Sequence, residues 1–450
     1  MMKDEISARD ALTINLWVFR SVGIWAADIN SRSLRFIYNI YGTIMITTLS
    51  IIYFSTEIIY VIVIWGNLTA ISEISFLLLT HIGTVVKLFN FLIRRERVEK
   101  LVENLLQRDF LPKHNAHRDI LTLTVKVVNR DNILFILMCA STVIGWAIVP
   151  MVDSARPRRL PLKTWFPFDI SNSPIFEVIY AYQTAAVMMN AFMNAMMDTF
   201  ASSLMALAGA QLDMLRHDLS NLGREDEEDE EDEENPAEFK TAVTQRAAGR
   251  ISNVVRAEDK LKGKLRTGNV PEEFPPRSLQ DDILHERIVG CIEHHGAIIR
   301  FANEVKDVFG IGILVQFAVS SIILCLTCFE LTLLSPGSLQ FCSMLLYQGC
   351  MLLEIFFYCW HGNGIIYKSE DLMLAPFQCR WTTCSPRFKN TLRIVMCRMQ
   401  RAHKLTVGRV FNLSLETFSM ILRTAYSFYA VLQRVHSRVI EAEKDDLRNL

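Results

Sequence analysis

Charge is scarce in this sequence, and its scarcity is local. Asp, Glu, Lys and Arg make up 21% of 450 residues against 51% hydrophobic ones, and the mean hydropathy is positive. The stretches WGNLTA and SPGS contain no Lys or Arg. A Walker phosphate loop, a nucleophile elbow and an HExxH pair are also missing, which removes the nucleotide, serine-hydrolase and zinc-protease chemistries those patterns carry. No enzyme is expected. The start, MMKDEISARDALTINLW, has acidic residues and no short apolar core ahead of a cleavage site, so a retained first span is expected rather than a cleaved signal peptide. Internal self-similarity is absent, which argues against a transporter built from repeats. A net charge near −1 by itself says nothing about nucleic acid, since the charge is patterned rather than absent; no nucleic-acid partner is expected.

The hydrophobes that are present are segregated into long runs. A soluble domain spreads them with period 2 or 3.6. Seven segments are long and apolar enough to cross a hydrocarbon layer of about 30 Å, which takes about 20 helical residues. They lie near 37–65, 71–93, 131–151, 177–206, 308–334, 339–361 and 411–433. The last, LSLETFSMILRTAYSFYAVL, carries Glu416 and Arg423 and suits a helix facing water or protein on one side. Lys and Arg crowd the connections after spans two and six, from Arg94 to Arg130 and from Lys368 to Arg409. The positive-inside rule then places the N-terminus in the cytoplasm and, after seven crossings, the C-terminus outside. The sequon Asn67-Leu68-Thr69 falls in an outside loop, close to the bilayer.

This reading divides the chain into 1–206, with spans one to four, and a cytoplasmic loop 207–306. Spans five and six occupy 307–361, a cytoplasmic helical region 362–410, the final span 411–433 and an outer tail 434–450. Within the long loop, EDEEDEEDEE (225–234) opens a charge-rich insert, near 224–278, that cannot bury apolar area. The basic stretch TQRAAGRISNVVRAEDKLKGKLR reads as its solvated partner, with calmodulin or acidic-lipid binding as the other reading. Two further stretches are amphipathic helices. Phe388, Leu392, Val395 and Met399 share one face, and Leu284, Ile288, Ile292, Ile299 and Ala302 another. Packing in a cytoplasmic bundle is expected of both, with attachment to the membrane surface as the alternative.

Ten cysteines raise the question of disulfides or zinc. The outside loops contain none, and Cys139, Cys325, Cys328, Cys342, Cys350 and Cys359 lie within spans. Cys379 and Cys384 with His361 lack the paired spacing of a structural zinc site, so no metal and no cofactor is expected. Lys87 and Asp198 fall toward the cytoplasmic ends of spans two and four, where they can meet; structural hydrogen bonding is expected of Glu57, Glu330 and Glu354.

One segment changes character midway. In IFFYCWHGNGIIYKSEDL the apolar run stops at Trp360, where a membrane-edge aromatic belongs. The same segment, followed by LRIVMCRMQRAHKLTVGRVFNLSLETFSMILRTAYSFYAVL, closely resembles the C-terminal signature of insect odorant receptors. The residues that carry the likeness are Tyr358, Cys359, Trp360, Gly362, Asn363 and Ser369, then Met396, Arg398 and Gln400. Thr406, Gly408, Phe418, Ile421, Leu422, Tyr426 and Ser427 complete it. The likeness reaches upstream through PFDISNSPIFEVIYAYQ, AQLDMLRHDLSNL and CIEHHGAIIRFANEVKDVFGIGILVQFAVSS. Ala402-His403 and Pro376 depart from the family pattern. The acidic insert does not resemble the long loop of the shared co-receptor, which favours an odour-tuned subunit.

The resemblance implies an all-α membrane protein with seven helices in inverted topology. It implies a heterotetramer with the olfactory co-receptor, assembled through a cytoplasmic anchor in the plasma membrane of a sensory neuron. The assembly would be a non-selective cation channel opened by a volatile odorant or pheromone. Matching the family's gate pattern places Val431 and Val435 at an apolar constriction on the pore-lining seventh helix, with Arg434 at the pore mouth. The odorant pocket would lie in the outer half of the membrane among spans two, three, four and six. Phe76, Thr80, Ser141, Gly145, Trp146, Met188, Met189, Phe341, Met344 and Tyr347 are its candidate walls. A metabotropic seven-helix receptor, which needs an outside N-terminus, and a gustatory-type channel remain the alternatives.

Overall fold

The computed structural model describes residues 7–448, except 27–28, 30, 67, 153–158, 171, 224–278 and 409. The acidic run, the basic stretch behind it and Asn67 therefore lie outside the described residues.

After a short 3-10 turn, α1 (Thr13–Val22) precedes α2 (Arg32–Ile46), which runs through a π-helical stretch (Thr47–Ile52) into α3 (Tyr53–Val63). Then come α4 (Leu68–Ile93), α5 (Arg95–Asn104), α6 (Asn115–Val152), α7 (Ile175–Ser220) and α8 (Leu279–Leu333). The remainder is α9 (Leu339–Leu372), α10 (Ala375–Gln378), α11 (Pro386–Met399), a two-stranded β1 (Thr406–Val407) and β2 (Phe411–Asn412), and α12 (Leu415–Arg448). Counting α2–α3 as one rod, seven long helices stand where seven crossings are expected.

Among the described residues, five of these rods carry a stretch apolar enough to cross a membrane, and none is found on α7 or α12. The two fall short for different reasons. α7 is the central post, packed against α1, α4, α6, α8 and α9, and it buries polar residues such as Gln183, Asn190, Asn194 and Asp198. Among the described residues, α12 buries Thr417, Ile421 and Ala425 along one face, spaced by one turn, and leaves the rest half-buried or exposed.

Several helices overshoot the bilayer. At 1.5 Å per residue, 55 residues of α8 extend about 80 Å. The excess of α7, α8 and α9, at the end away from the short connections, packs with α5 and α11 into a helical base. Helix α9 continues unbroken from Leu339 to Leu372, past Trp360. Trp360 is half exposed on its flank, stacked on Phe356 with ring centroids 5.5 Å apart. Likewise α12 runs on past residue 433 to Arg448, and it begins at Leu415, because 411–412 belongs to the small hairpin.

In the base, Phe388, Leu392, Val395 and Met399 form the buried face of α11, as their spacing predicts. The α8 stripe is corrected by one residue. Ile298 is buried (1% exposed) rather than Ile299, and the seam runs Ile288, Cys291, His294, Ile298, Phe301 and Val305. A 3.6-residue period does not sit on fixed four-residue steps, so the stripe drifts.

His294 sits on that seam. The Gln211 amide donates to the Phe110 carbonyl (3.0 Å), which turns its oxygen toward His294 Nε2 at 2.9 Å. Burial pushes the His294 imidazole down to about 4, with Lys113 and His117 adding to the shift and Asp218 and Asp109 opposing it. The unfolded chain protonates this group near 6.5 and the folded chain only near 4. Stability is therefore complete above 6.5 and is lost as pH falls through that window, by ~3 kcal/mol. Thermal melts of the detergent-solubilised protein should show this loss between pH 6.5 and 4, and His294→Gln, which keeps an amide on Gln211, should flatten it.

Candidate ligand cavity and exposed last helix

Toward the short-connection end, α4, α6, α7 and α9 separate around a cavity. Its walls include Leu77, Thr80, Phe135, Trp146, Val187 and Tyr347. The cavity volume is about 40 Å³, room for a few water molecules. Tyr347, Trp146 and Phe76 form an aromatic triangle, with centroids 5.2 Å (Trp146–Tyr347), 5.3 Å (Phe76–Tyr347) and 6.2 Å (Phe76–Trp146) apart. The Thr80 hydroxyl donates to the Phe76 carbonyl at 3.0 Å and lies 2.5 Å from the Tyr347 hydroxyl, so both are spent on the protein.

Of the residues expected here, Thr80, Trp146 and Tyr347 line the cavity, and Phe76 backs two of them. Ser141 does not: it is exposed, and its hydroxyl donates to the Leu137 carbonyl. Met188 and Met189 are half-buried beside the walls, which α7 supplies through Val187, Asn190, Ala191, Asn194 and Ala195. Each helical step turns a side chain by about 100°, so choosing Ser141 over Thr142, or Met188 over Val187, misses the wall. Gly145 is a contact point between helices, where a Cβ would stand 2.9 Å from Ser343 Cβ. Met344 is buried and Phe341 half-buried outside the lining.

Residues unremarked in the sequence add to the walls: His81, Thr84, Thr142, Asn190 and Asn194. A signal existed, since these are polar or small residues inside otherwise apolar spans; weighing charged groups alone passes over them.

Below the cavity lies a buried ion cluster contributed by four helices. Lys87 on α4 donates to Asp198 Oδ2 (2.7 Å) on α7, to Gln316 Oε1 (2.8 Å) on α8 and to Glu354 Oε1 (3.0 Å) on α9. Tyr358 donates to Asp198 Oδ1 at 2.6 Å, and Asn194 donates to Glu354 Oε1 at 2.7 Å. The Thr84 hydroxyl donates to Asn194 Oδ1 at 3.0 Å, so Asn194 is at once cavity wall and cluster partner. Glu57 meets His81 at 2.7 Å, one layer higher.

The signature residues have structural uses. Tyr358 holds Asp198, and Cys359 and Ser369 are buried. Gly362 lets α9 approach the chain just before α12: a Cβ there would stand 2.3 Å from Leu413 Cβ. Gly408 has φ +60 in the hairpin turn and faces Leu314. Asn363 is half-buried, while Gln400, Tyr426 and Ser427 are exposed. On α12, Val431 and Val435 are 59% and 53% exposed one turn apart, with exposed Arg434 beside them.

Near residue 380, Cys379 Sγ donates to the Pro376 carbonyl and Cys384 Sγ to the Arg380 carbonyl, both at 3.1 Å. Among the described residues, His117, His217 and Asp218 bring potential metal-ligand atoms within 4.8 Å of one another. There His117 Nε2 already lies 2.7 Å from Asp218, and the Lys113 ammonium is 3.9 Å from the same carboxylate, which favours an ion cluster.

Known proteins resemble this chain in sequence and in fold. The family model of the 7tm odorant receptors matches residues 67–426. Odorant receptor Or1 of Anopheles gambiae is 24% identical over 442 residues, 96% of this chain and 97% of that protein. Odorant receptor 46a, isoform A, of Drosophila melanogaster is 24% identical over 85% of this chain and 87% of its own length. The Anopheles gambiae odorant receptor coreceptor is 22% identical over 82% and 85%. Among solved structures, the insect olfactory receptor OR5 from Machilis hrabei superposes with a TM-score of 0.74 at 15% identity, covering 95% of this chain and 98% of that one. Its complex with eugenol gives 0.72 with the same identity and coverage. A seven-helix membrane fold and a family match across most of its length lead to one conclusion: this chain belongs to the insect odorant receptors.

Proposed function

We propose that this chain is an odour-tuned subunit of a ligand-gated, non-selective cation channel in the plasma membrane of a sensory neuron. Its N-terminus is cytoplasmic, its C-terminus is outside, and it works in a heterotetramer with the olfactory co-receptor. The observation that carries the reading is the cavity among α4, α6, α7 and α9, whose polar side chains are mostly bonded to the protein, so that it presents a mainly apolar and aromatic surface, as a small volatile requires. A volatile offers little beyond shape and about 25 cal/mol per Å² of buried apolar area.

The tightness of the cavity supports gating. An odorant needs more room than the narrow free space, so its entry favours an arrangement in which the helices part. A ligand that binds this open arrangement about 100-fold better supplies about 2.7 kcal/mol per site. Helix α12 packs on α8 and α9, the latter a cavity wall, so displacement of α9 reaches it directly. Its outward face carries Val431 and Val435, which stack one turn apart; a ring of such residues stops ions by dewetting. The base exposes Tyr367, Leu374, Phe377 and Ile394, apolar surface suited to a neighbouring subunit.

The test is current recording from cells expressing this chain with and without the co-receptor, across an odorant panel. Ligand-evoked current only with the co-receptor is expected; full currents from the chain alone would remove the obligate partner. Val431→Ser with Val435→Ser should raise resting conductance or change ion preference, and unchanged behaviour in both would remove them as the gate.

A further inference from the structure

The polar groups of the cavity are nearly all consumed by protein partners. Thr80 and Tyr347 share each other and the Phe76 carbonyl, and Thr84 donates to the Thr80 carbonyl and Asn194. Asn194 donates to Glu354, Thr142 donates to the Met138 carbonyl, and Asn190 is held by Ser50 and the Leu49 carbonyl. His81 differs. Its Nδ1 lies 2.7 Å from Glu57 Oε2, while Glu57 is no part of the wall and the His81 ring is. The opposite ring edge, Nε2, is therefore on the cavity side, and among the described residues it meets no protein partner. The ring is held in place, 4% exposed and packed edge-on against Tyr53 at 5.5 Å.

The protonation of that edge follows from charge balance. Glu57 is fully buried and no Lys or Arg pairs with it among the described residues, so a net charge on the Glu57–His81 pair would stand uncompensated in the membrane interior. Three states of the pair are neutral overall. In the first, a carboxylate faces an imidazolium; in the second, a carboxylic acid donates to Nδ1 of a neutral imidazole. In both, Nε2 carries a hydrogen. The third puts the acid proton on Glu57 Oε1 and lets Nδ1–H donate to Oε2, with a lone pair on Nε2. Oε1 is buried and meets no hydrogen-bond partner among the described residues, so that state strands an acid proton and is disfavoured.

We propose that His81 Nε2–H is the hydrogen-bond donor of the odorant cavity, fixed by Glu57. The ligands this receptor is tuned to are then small apolar volatiles bearing one acceptor oxygen, such as a ketone, aldehyde or ester. This rests on the reading of the cavity as the odorant site. A pure hydrocarbon fills the same space but leaves the donor buried and unpaired, which is how a polar site discriminates against isosteres.

The experiment compares heptane with 2-heptanone and methyl hexanoate on the full-length chain. Binding is measured by displacement of the fluorescent probe N-phenyl-1-naphthylamine from purified protein, and current is recorded in parallel from cells that also express the co-receptor. The readout is the affinity ratio of carbonyl ligand to hydrocarbon on each protein, in which differences in yield cancel. The wild type should favour the carbonyl ligands at least tenfold. His81→Phe, which keeps an aromatic ring, should bring the ratio near one while heptane still binds, and His81→Gln, which restores an N–H donor, should recover part of it. Equal affinities in the wild type, or a ratio unchanged by His81→Phe, would overturn the donor assignment. Displacement with the expected ratios but without current in any cell would leave this assignment standing and overturn the channel reading instead.

Discussion

Lys87→Met is expected to abolish recovery of folded receptor. The side chain is 4% exposed, and its ammonium pairs with both buried carboxylates, Asp198 and Glu354. Methionine fills the volume but leaves two carboxylates, 1% and 0% exposed, facing each other without a counter-charge. Removing one partner of a buried ion pair costs about 3–5 kcal/mol, because the remaining charge stays desolvated. That is a large part of the roughly 5–15 kcal/mol by which a folded domain is stable. Size-exclusion chromatography after detergent extraction should show the monodisperse peak lost. The triple variant Lys87→Met, Asp198→Asn, Glu354→Gln should restore it, since neutral groups of similar shape remove the repulsion and keep the hydrogen bonds to Tyr358 and Asn194 available. A monodisperse Lys87→Met protein with wild-type melting temperature would show that the cluster does not hold the four helices together.

Two glycines two residues apart on α9 should respond in opposite directions. At Gly362, a Cβ would meet Leu413 Cβ at 2.3 Å and the Leu413 carbonyl oxygen at 2.7 Å. Backbone cannot yield as a flexible side chain can, so Gly362→Val must push α9 away from the segment that leads into α12. Leu413 is fully buried and its N–H is bonded to the Leu405 carbonyl at 2.8 Å, so the hairpin moves with it. Overpacking of this kind costs about 1–3 kcal/mol or more. At Gly364 nothing lies within 4 Å of the added Cβ. Gly364→Ala should therefore stabilise the helix by about 0.5–1 kcal/mol through backbone entropy alone. Melting temperatures of the two variants in the same detergent decide it. Loss at Gly362 with a gain at Gly364 supports the close crossing, whereas equal small effects at both would mean α9 and the α12 entry do not touch there.

This pair also illustrates how much was legible beforehand. The signature around Tyr358 to Ser369 marked the segment, but not why a glycine belongs at 362. The contact joins residues 51 positions apart, and no local pattern encodes it (413 less 362). The Lys87–Asp198 meeting was legible because two opposite charges at matching depth in apolar helices have few other partners. Glu354, Gln316 and Tyr358 joined them only in three dimensions. The cavity followed the same division. Its four helices are those the family likeness implies for an odorant pocket, and three of the residues named for that pocket, Thr80, Trp146 and Tyr347, line it. The α7 wall was misplaced because a helix that is apolar on every side gives no phase.

What the sequence determined alone was the kind of object: seven helical rods, the distribution of Lys and Arg at their ends, an amphipathic last helix, and membership of a receptor family. These are properties of runs, periods and local composition, each decided within about 20 neighbouring residues. Only the tertiary structure decided which faces meet. The depth at which α7 places Asn194 between Thr84 and Glu354, the turning of His81 by Glu57 from α3, and the contact of Gly362 with Leu413 all join residues far apart in the chain. Rotation and sliding of one helix against another change none of the local patterns, so they are settled by packing and by the need to pair every buried polar group.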